Sequence, residues 1–156
     1  MARFSVNVDV SALNAFVDKV ARAGVTSARP AAQAGAQVFY DEVNVNVSRI
    51  GRKTGNLASS IYQVFSKDNS TETKATYHIS WNARKAPHGH LIEYGHLQTR
   101  KAYIGSDGKW YSSKIKLAEP KQIAARPFIR PAYESKAVDA LEAVNARWFA
   151  DVERAL

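Results

Sequence analysis

The C-terminal quarter of the chain carries the pattern that most restricts the fold. After Pro131, apolar residues recur at steps of 4, 4, 3, 4 and 4 residues, at Tyr133, Ala137, Leu141, Val144, Trp148 and Val152. An α-helix turns once every 3.6 residues, so these side chains share one face of a single long helix. The pattern predicts an amphipathic helix whose apolar face is covered by another part of the protein.

Two further helices are predicted before residue 50. Ser11 suits the start of the first and Gly24 suits its end. Its apolar residues are Leu13, Phe16, Val17 and Val20. Pro30 suits the first turn of the second helix, where the small residues around Gly35 allow another helix to approach closely.

Alternating residues predict strands in the middle of the chain. Ala75, Tyr77, Ile79 and Trp81 alternate with polar residues, and a second strand is expected to start near Ile61. Residues 98–120 are typical of an exposed hairpin with a tight turn at 105–108. We therefore expect one α+β domain over 1–156. Its small antiparallel β-sheet is packed by two N-terminal helices and one long C-terminal helix, and a β-hairpin or long loop protrudes.

The positive charge is concentrated in one stretch. The formal net charge is +8, and from Arg100 to Pro131 eight basic residues face two acidic ones, a local excess of +6. Aromatic residues lie among these charges, at Tyr103, Trp110 and Tyr111. The pattern indicates either a surface for an acidic partner, such as nucleic acid or an acidic protein face, or a solvated loop that keeps the protein soluble.

The chain carries no strong catalytic motif. It has no cysteine, which excludes disulfides and thiolate metal sites. His88, His90 and His96 lie near Glu93, but their spacing matches no standard helical metal site. A Gly-x-Ser-x-Gly elbow and a Gly-x-x-x-x-Gly-Lys phosphate loop are both absent from the sequence. We expect no enzyme activity, no cofactor and no bound metal. The chain also begins without the apolar run of a signal peptide.

Three local patterns occur in a fixed order. The first, at 54–61, is Thr-Gly-x-Leu-x-x-Ser-Ile, formed by Thr54, Gly55, Leu57, Ser60 and Ile61. The second, at 90–96, ends an apolar turn in Glu-Tyr-Gly and contains Leu91, Glu93, Tyr94 and Gly95. The third, at 125–132, is Ala-Arg-Pro-Phe-Ile-Arg-Pro-Ala, with Pro127 and Pro131, and leads into the terminal helix. In this order the patterns resemble the tail-completion or head–tail joining proteins of long-tailed double-stranded DNA bacteriophages.

That resemblance implies a structural subunit of the phage neck without catalysis. Such subunits form a ring, typically of six copies, between the head connector and the tail tube or tail terminator, with DNA passing through the lumen. The implied location is the virion neck or tail, after assembly in the cytoplasm of the host bacterium, with no membrane. Alternatives are a tail-terminator or head-closure ring protein and a nucleic-acid-binding protein. Residues 98–120 are longer than the corresponding link in many relatives, so the resemblance assigns them no role.

The candidate contact residues come from charge, aromaticity and stiffness. Proline restricts its own backbone and that of the preceding residue, so 126–131 is expected to form a stiff arm. Phe128 in this arm has two interpretations: it contacts a neighbouring subunit, or it packs in its own core. The candidate residues for a subunit or partner interface are Arg52, Lys53, Tyr103, Trp110, Tyr111, Arg126, Phe128 and Arg130.

Overall fold

The structure, a computed structural model, describes residues 7–51, 55–108 and 110–156, without the side chain of Trp110. Its order is helix α1 (Ser11–Ile50), a 3-10 turn (Ala58–Ser60), strands β1 (Ile61–Phe65) and β2 (Tyr77–Trp81), helix α2 (Gly89–Tyr94), strands β3 (His96–Ile104) and β4 (Trp110–Ile123), and helix α3 (Arg130–Ala155). Strands β1 and β2 form one two-stranded antiparallel sheet, and β3 and β4 form another. The predicted α+β class and the predicted β-hairpin are confirmed.

The two predicted N-terminal helices are wrong, because α1 runs unbroken for 40 residues with Pro30 inside it. A proline within a helix costs about 3 kcal/mol. Two side chains just before Pro30 bond back to the preceding turn: Thr26 Oγ1 donates to the Arg22 carbonyl at 2.9 Å and Ser27 Oγ donates to the Ala23 carbonyl at 2.7 Å. Packing along this part of α1 offsets the local cost of proline, as tertiary contacts commonly do.

The chain divides into two compact units. The first unit comprises Met1–Tyr40, Gln63–Ile79 and Lys136–Leu156. In it α1 and α3 run antiparallel, since Gly24 meets Trp148 while Gly35, further along α1, meets the earlier residue Val144. The Trp148 indole Nε1–H donates to the Gly24 carbonyl at 3.1 Å.

Small residues set the distance between these helices. A Cβ added at Gly35 would lie 2.5 Å from Val144 Cγ2 and 3.1 Å from the Ala140 carbonyl oxygen. This confirms the prediction that the small residues of this region admit a second helix. The buried face of α3 is consequently built on Ala140, which is 4% exposed.

The predicted apolar stripe of α3 is therefore only partly correct. Val152 is buried and Val144 and Trp148 are half-buried, but Tyr133 and Leu141 are 65% and 59% exposed. Periodicity located the helix but not its buried face, because close packing against Gly35 favours the side of α3 that carries alanine.

The second unit comprises Asp41–Tyr62 and Ser80–Ser135. Its core gathers residues from distant parts of the sequence around Phe128, whose side chain is 0% exposed. The other buried apolar residues here are Val43, Val47, Leu57, Ile61, Ala86 and Ala132. The Ser60 carbonyl accepts a hydrogen bond from the Asn82 N–H at 2.9 Å, which ties the 3-10 turn to the chain leaving β2.

Candidate interaction surfaces

The carboxylate of Glu93 holds the backbone that enters α3. Glu93 lies on α2 and is 6% exposed. Its Oε2 accepts the N–H groups of Phe128 at 2.7 Å and Ile129 at 3.2 Å, and its Oε1 accepts the N–H of Arg130 at 3.2 Å. The first N–H groups of a helix lack partners within it and carry partial positive charge, so a carboxylate there is stabilising. Glu93 of the second sequence pattern therefore binds the backbone of the third at residues 128–130, and we call this contact the joint.

Phe128 belongs to the core of this joint, so its assignment to an exposed interface is wrong. Its ring lies 5.7 Å from that of Trp81, edge to face, and its carbonyl accepts a hydrogen bond from Asn46 Nδ2 at 3.2 Å. The arm directs Phe128 into its own unit because the Glu93 carboxylate accepts the backbone N–H groups of Phe128 and Ile129.

The remaining residues of the three patterns that are described shape turns and fill the core. Leu57, Ser60 and Ile61 are buried, and Ser60 Oγ donates to the Leu57 carbonyl at 2.7 Å. Gly95 has a φ of +71°, and a Cβ there would lie 2.7 Å from the Ile123 carbonyl oxygen. The others are Gly55, with a φ of +76°, the half-buried Leu91 and Pro131, and the exposed Tyr94 and Pro127. Thr54 lies outside the described residues.

The hairpin of β3 and β4 is exposed along most of its length. Tyr103 and Tyr111 pair across its strands with ring centroids 5.8 Å apart, and the two are 52% and 42% exposed. The Tyr111 hydroxyl donates to Asp107 Oδ2 at 2.7 Å, and this bond raises the pKa of Tyr111. The predicted aromatic hairpin is thus present, with Tyr103 and Tyr111 on its surface. The side chain of Trp110 lies outside the described residues.

The predicted basic contact residues fall at different places. Arg126 and Arg49 line one open cleft of the second unit together with Asn46. Arg130 is exposed and pairs with Glu134 at 2.8 Å. Arg52 and Lys53 lie outside the described residues, so their assignment to an interface stays a prediction.

Two exposed apolar faces in the first unit were missed from the sequence. The α1 apolar face consists of Leu13, Phe16 and Val17, which are 60%, 53% and 55% exposed. The α3 apolar face consists of Val138, Leu141 and Phe149, which are 67%, 59% and 58% exposed. Helical periodicity marks an apolar face without saying which molecule covers it, so it did not predict that these residues are exposed. Large exposed apolar patches commonly mark interaction sites.

His88 and His96 are half-buried, and His90 is exposed. Burial, and secondarily repulsion by His90, lower the pKa of His88. His96 Nδ1 and Trp81 Nε1 are buried, and neither has a hydrogen-bond partner among the described residues. Within 7–51, 55–108 and 110–156, no group of three or more His, Cys, Asp or Glu side chains is placed to hold a metal ion. In the same ranges no helix is both long enough and apolar enough to cross a membrane.

The chain is an α+β protein with exposed apolar helix faces and a basic hairpin. These features define the class of proteins that act through contacts with other macromolecules. The chain belongs to the family described as "Bacteriophage HK97-gp10, putative tail-component", whose model matches residues 11–95, more than half of the 156 residues. It is a structural component of a phage tail and hence of the virion. No curated protein and no solved structure matches the chain.

Proposed function

We propose that this tail component is a tail-completion protein, which forms a ring between the head connector and the tail tube and joins the two. Membership of the phage tail family supports the setting. The observation that carries the ring is the pair of apolar helix faces that a single chain leaves exposed. Burying apolar side chains between copies is favourable by roughly 1.5–3 kcal/mol for each large one.

A ring requires two different surfaces on each copy. When one patch of a subunit contacts a different patch of the next, the contact is heterologous and closes into a ring if the rotation divides the circle. The α1 apolar face and the α3 apolar face are two such patches. We propose that Phe16 and its neighbours on one copy pack against Leu141 and its neighbours on the next.

The proposed ring presents one face to the head connector or its adaptor proteins and the other to the tail tube or tail terminator. Six copies is the number that the family resemblance favours, and assembly takes place in the cytoplasm of the host bacterium. DNA passes through the lumen without sequence-specific contacts. Joining of this kind needs complementary surfaces and no energy source, which agrees with a structural tail component.

The test is complementation of a phage whose copy of this gene is interrupted. We expect wild-type protein to restore particles with attached tails, while Phe16→Asp and Leu141→Asp each leave free heads and free tails in negative-stain images. Val45→Asp is the matched control, because Val45 is also exposed on α1, at 41%, but lies outside both apolar faces. A charge at a buried contact is costly, whereas a charge at a free surface is not.

The outcomes separate the alternatives. Attached tails in the absence of the protein overturn the joining role. Tails of irregular length without the protein favour a terminator ring, since a terminator stops the tube, and heads that lose their DNA favour a head-closure ring. If Phe16→Asp and Leu141→Asp both restore as many tailed particles as Val45→Asp does, the proposed ring contact is contradicted.

A further inference from the structure

One face of the β3–β4 hairpin concentrates cations that nothing described in the chain neutralises. Gln98 is paired with Lys121, and Arg100 is paired with Lys116. The register shifts between these two pairs: β3 advances from 98 to 100 while β4 runs from 116 to 121, so the extra residues lie in β4. Residues 98 and 100 alternate to the same side of β3, and directly opposed residues share a side, so Arg100, Lys116 and Lys121 form one cationic face. All three are exposed.

These charges oppose their own neighbours. Arg100 and Lys116 stand directly opposite each other, an arrangement of like charges that destabilises a strand pair. None of the ion pairs formed by the described residues includes any of the three cations. Over residues 96–123 the sequence has six basic and two acidic residues, a net charge of +4. An anionic partner would relieve this repulsion.

A second copy of the chain is poorly suited to be that partner. Its net charge is +8. Three of the five acidic side chains of α3, those of Glu134, Asp139 and Asp151, already form ion pairs with cations of the same helix. A different, anionic molecule is the better partner for this face.

The composition of the face favours a phosphate backbone over an acidic protein. From Gln98 to Ala102 the side chains between the cations are short or polar, and Ala102 is paired with Ser112. Protein interfaces are usually anchored by buried aromatic residues. The Tyr103–Tyr111 pair alternates onto the opposite side of the strands. The apolar residue on the same side of β3 is Ile104, which is paired with Trp110 next to the turn, four positions beyond Arg100. Around Arg100 itself the cations have short or polar neighbours, as is typical of contacts to DNA phosphates, which carry no sequence information.

We propose that the cationic face, Arg100, Lys116 and Lys121, binds the phosphate backbone of double-stranded DNA without sequence preference. The inference deepens the proposed function, which supplies the DNA, and gives the hairpin a role that the family match does not cover, since the matched residues end at Gly95. The hairpin contacts the DNA that crosses the head–tail junction.

The experiment is a fluorescence-anisotropy titration of the full chain with a labelled duplex of arbitrary sequence, repeated from about 50 to 200 mM salt. Each phosphate contact contributes about 0.9 to the slope of log K against log salt, so R100Q/K116Q/K121Q is expected to reduce the slope by about 3. K67Q/K74Q/R84Q is the matched control: it removes the same charge from three exposed positions outside the hairpin and should leave the slope unchanged.

Three results would overturn the proposal: no binding of the duplex at about 50 mM salt, an equal loss in both triple variants, or tighter binding of labelled polyglutamate than of the duplex. The last result would assign the face to an acidic protein. The thermal midpoint of R100Q/K116Q/K121Q should equal or exceed that of wild type, because the substitutions remove repulsion. Phe16→Asp should abolish joining and retain duplex binding, so failure of the ring and failure of the DNA contact are told apart.

Discussion

Glu93 and Phe128 are 35 residues apart in sequence, yet the Glu93 carboxylate accepts the Phe128 N–H at 2.7 Å. The same carboxylate accepts two further N–H groups at the start of α3. One buried acidic side chain thus fixes where the terminal helix begins and places the Phe128 ring in the core.

Removing this carboxylate is expected to be costly. Glu93→Ala leaves three N–H groups without their acceptor and should lower the free energy of unfolding by about 3 kcal/mol, measured by urea denaturation. Glu93→Gln keeps one carbonyl oxygen and should lose less. Tyr94→Ala is the control, since Tyr94 is 78% exposed, and should change stability by under about 0.5 kcal/mol. A Glu93→Ala variant as stable as wild type would refute the role of this joint.

The Phe128 ring is expected to stabilise the subunit itself and not its contacts. Phe128→Ala removes a fully buried ring packed on Trp81 and should cost about 3–5 kcal/mol. Phe16→Ala, at a position 53% exposed, should leave the unfolding free energy of the isolated chain nearly unchanged. Equal losses in the two variants would contradict the placement of Phe128 in the core and of Phe16 on the surface.

The approach of α1 to α3 at Gly35 is testable by a double-mutant cycle. Gly35→Ala places a Cβ 2.5 Å from Val144 Cγ2 and should cost about 1–3 kcal/mol through overpacking. Val144→Ala removes that methyl group, so the double variant should be more stable than the sum of the single losses implies, by about 1 kcal/mol. Additive losses, measured by thermal or urea unfolding, would show that the two residues do not press on each other.

Acid should weaken the protein partly through His88. The pKa of His88 is lowered in the folded state, first by burial and then by His90, so the unfolded state takes up this proton first as the pH falls below about 6.5. The free energy of unfolding should therefore drop between about pH 7 and 5 more steeply in wild type than in His88→Gln. Parallel pH profiles from urea titrations would exclude a contribution of His88.

The sequence predicted the secondary-structure elements better than it predicted which of their apolar faces are buried. Local patterns sufficed for the α+β class, for the hairpin and for the long terminal helix, because periodicity and turn residues act over a few neighbours. The single α1 was not predictable locally, because Gly24 and Pro30 both read as helix ends. Their penalties are offset by contacts with residues more than a hundred positions away, such as Trp148.

The candidate contact residues show the same difference between local patterns and long-range contacts. Tyr103 and Tyr111 were found because aromatic residues beside charges signal exposure in the sequence itself. Phe128 was also a candidate contact residue because of its flanking prolines. Only the long-range hydrogen bond to Glu93 shows that it faces inward. The sequence placed Leu13 and Phe16 on one helix without showing what covers them, since a helical stripe is the same for a core and for an interface between chains.

Electron cryomicroscopy of intact particles is the most direct test of the proposed ring. We expect a closed ring of copies of this chain between the head connector and the tail tube, with Phe16 of each copy buried against the Leu141 region of the next. Copies found only elsewhere in the tail, or at the junction without contact between these two faces, would contradict it.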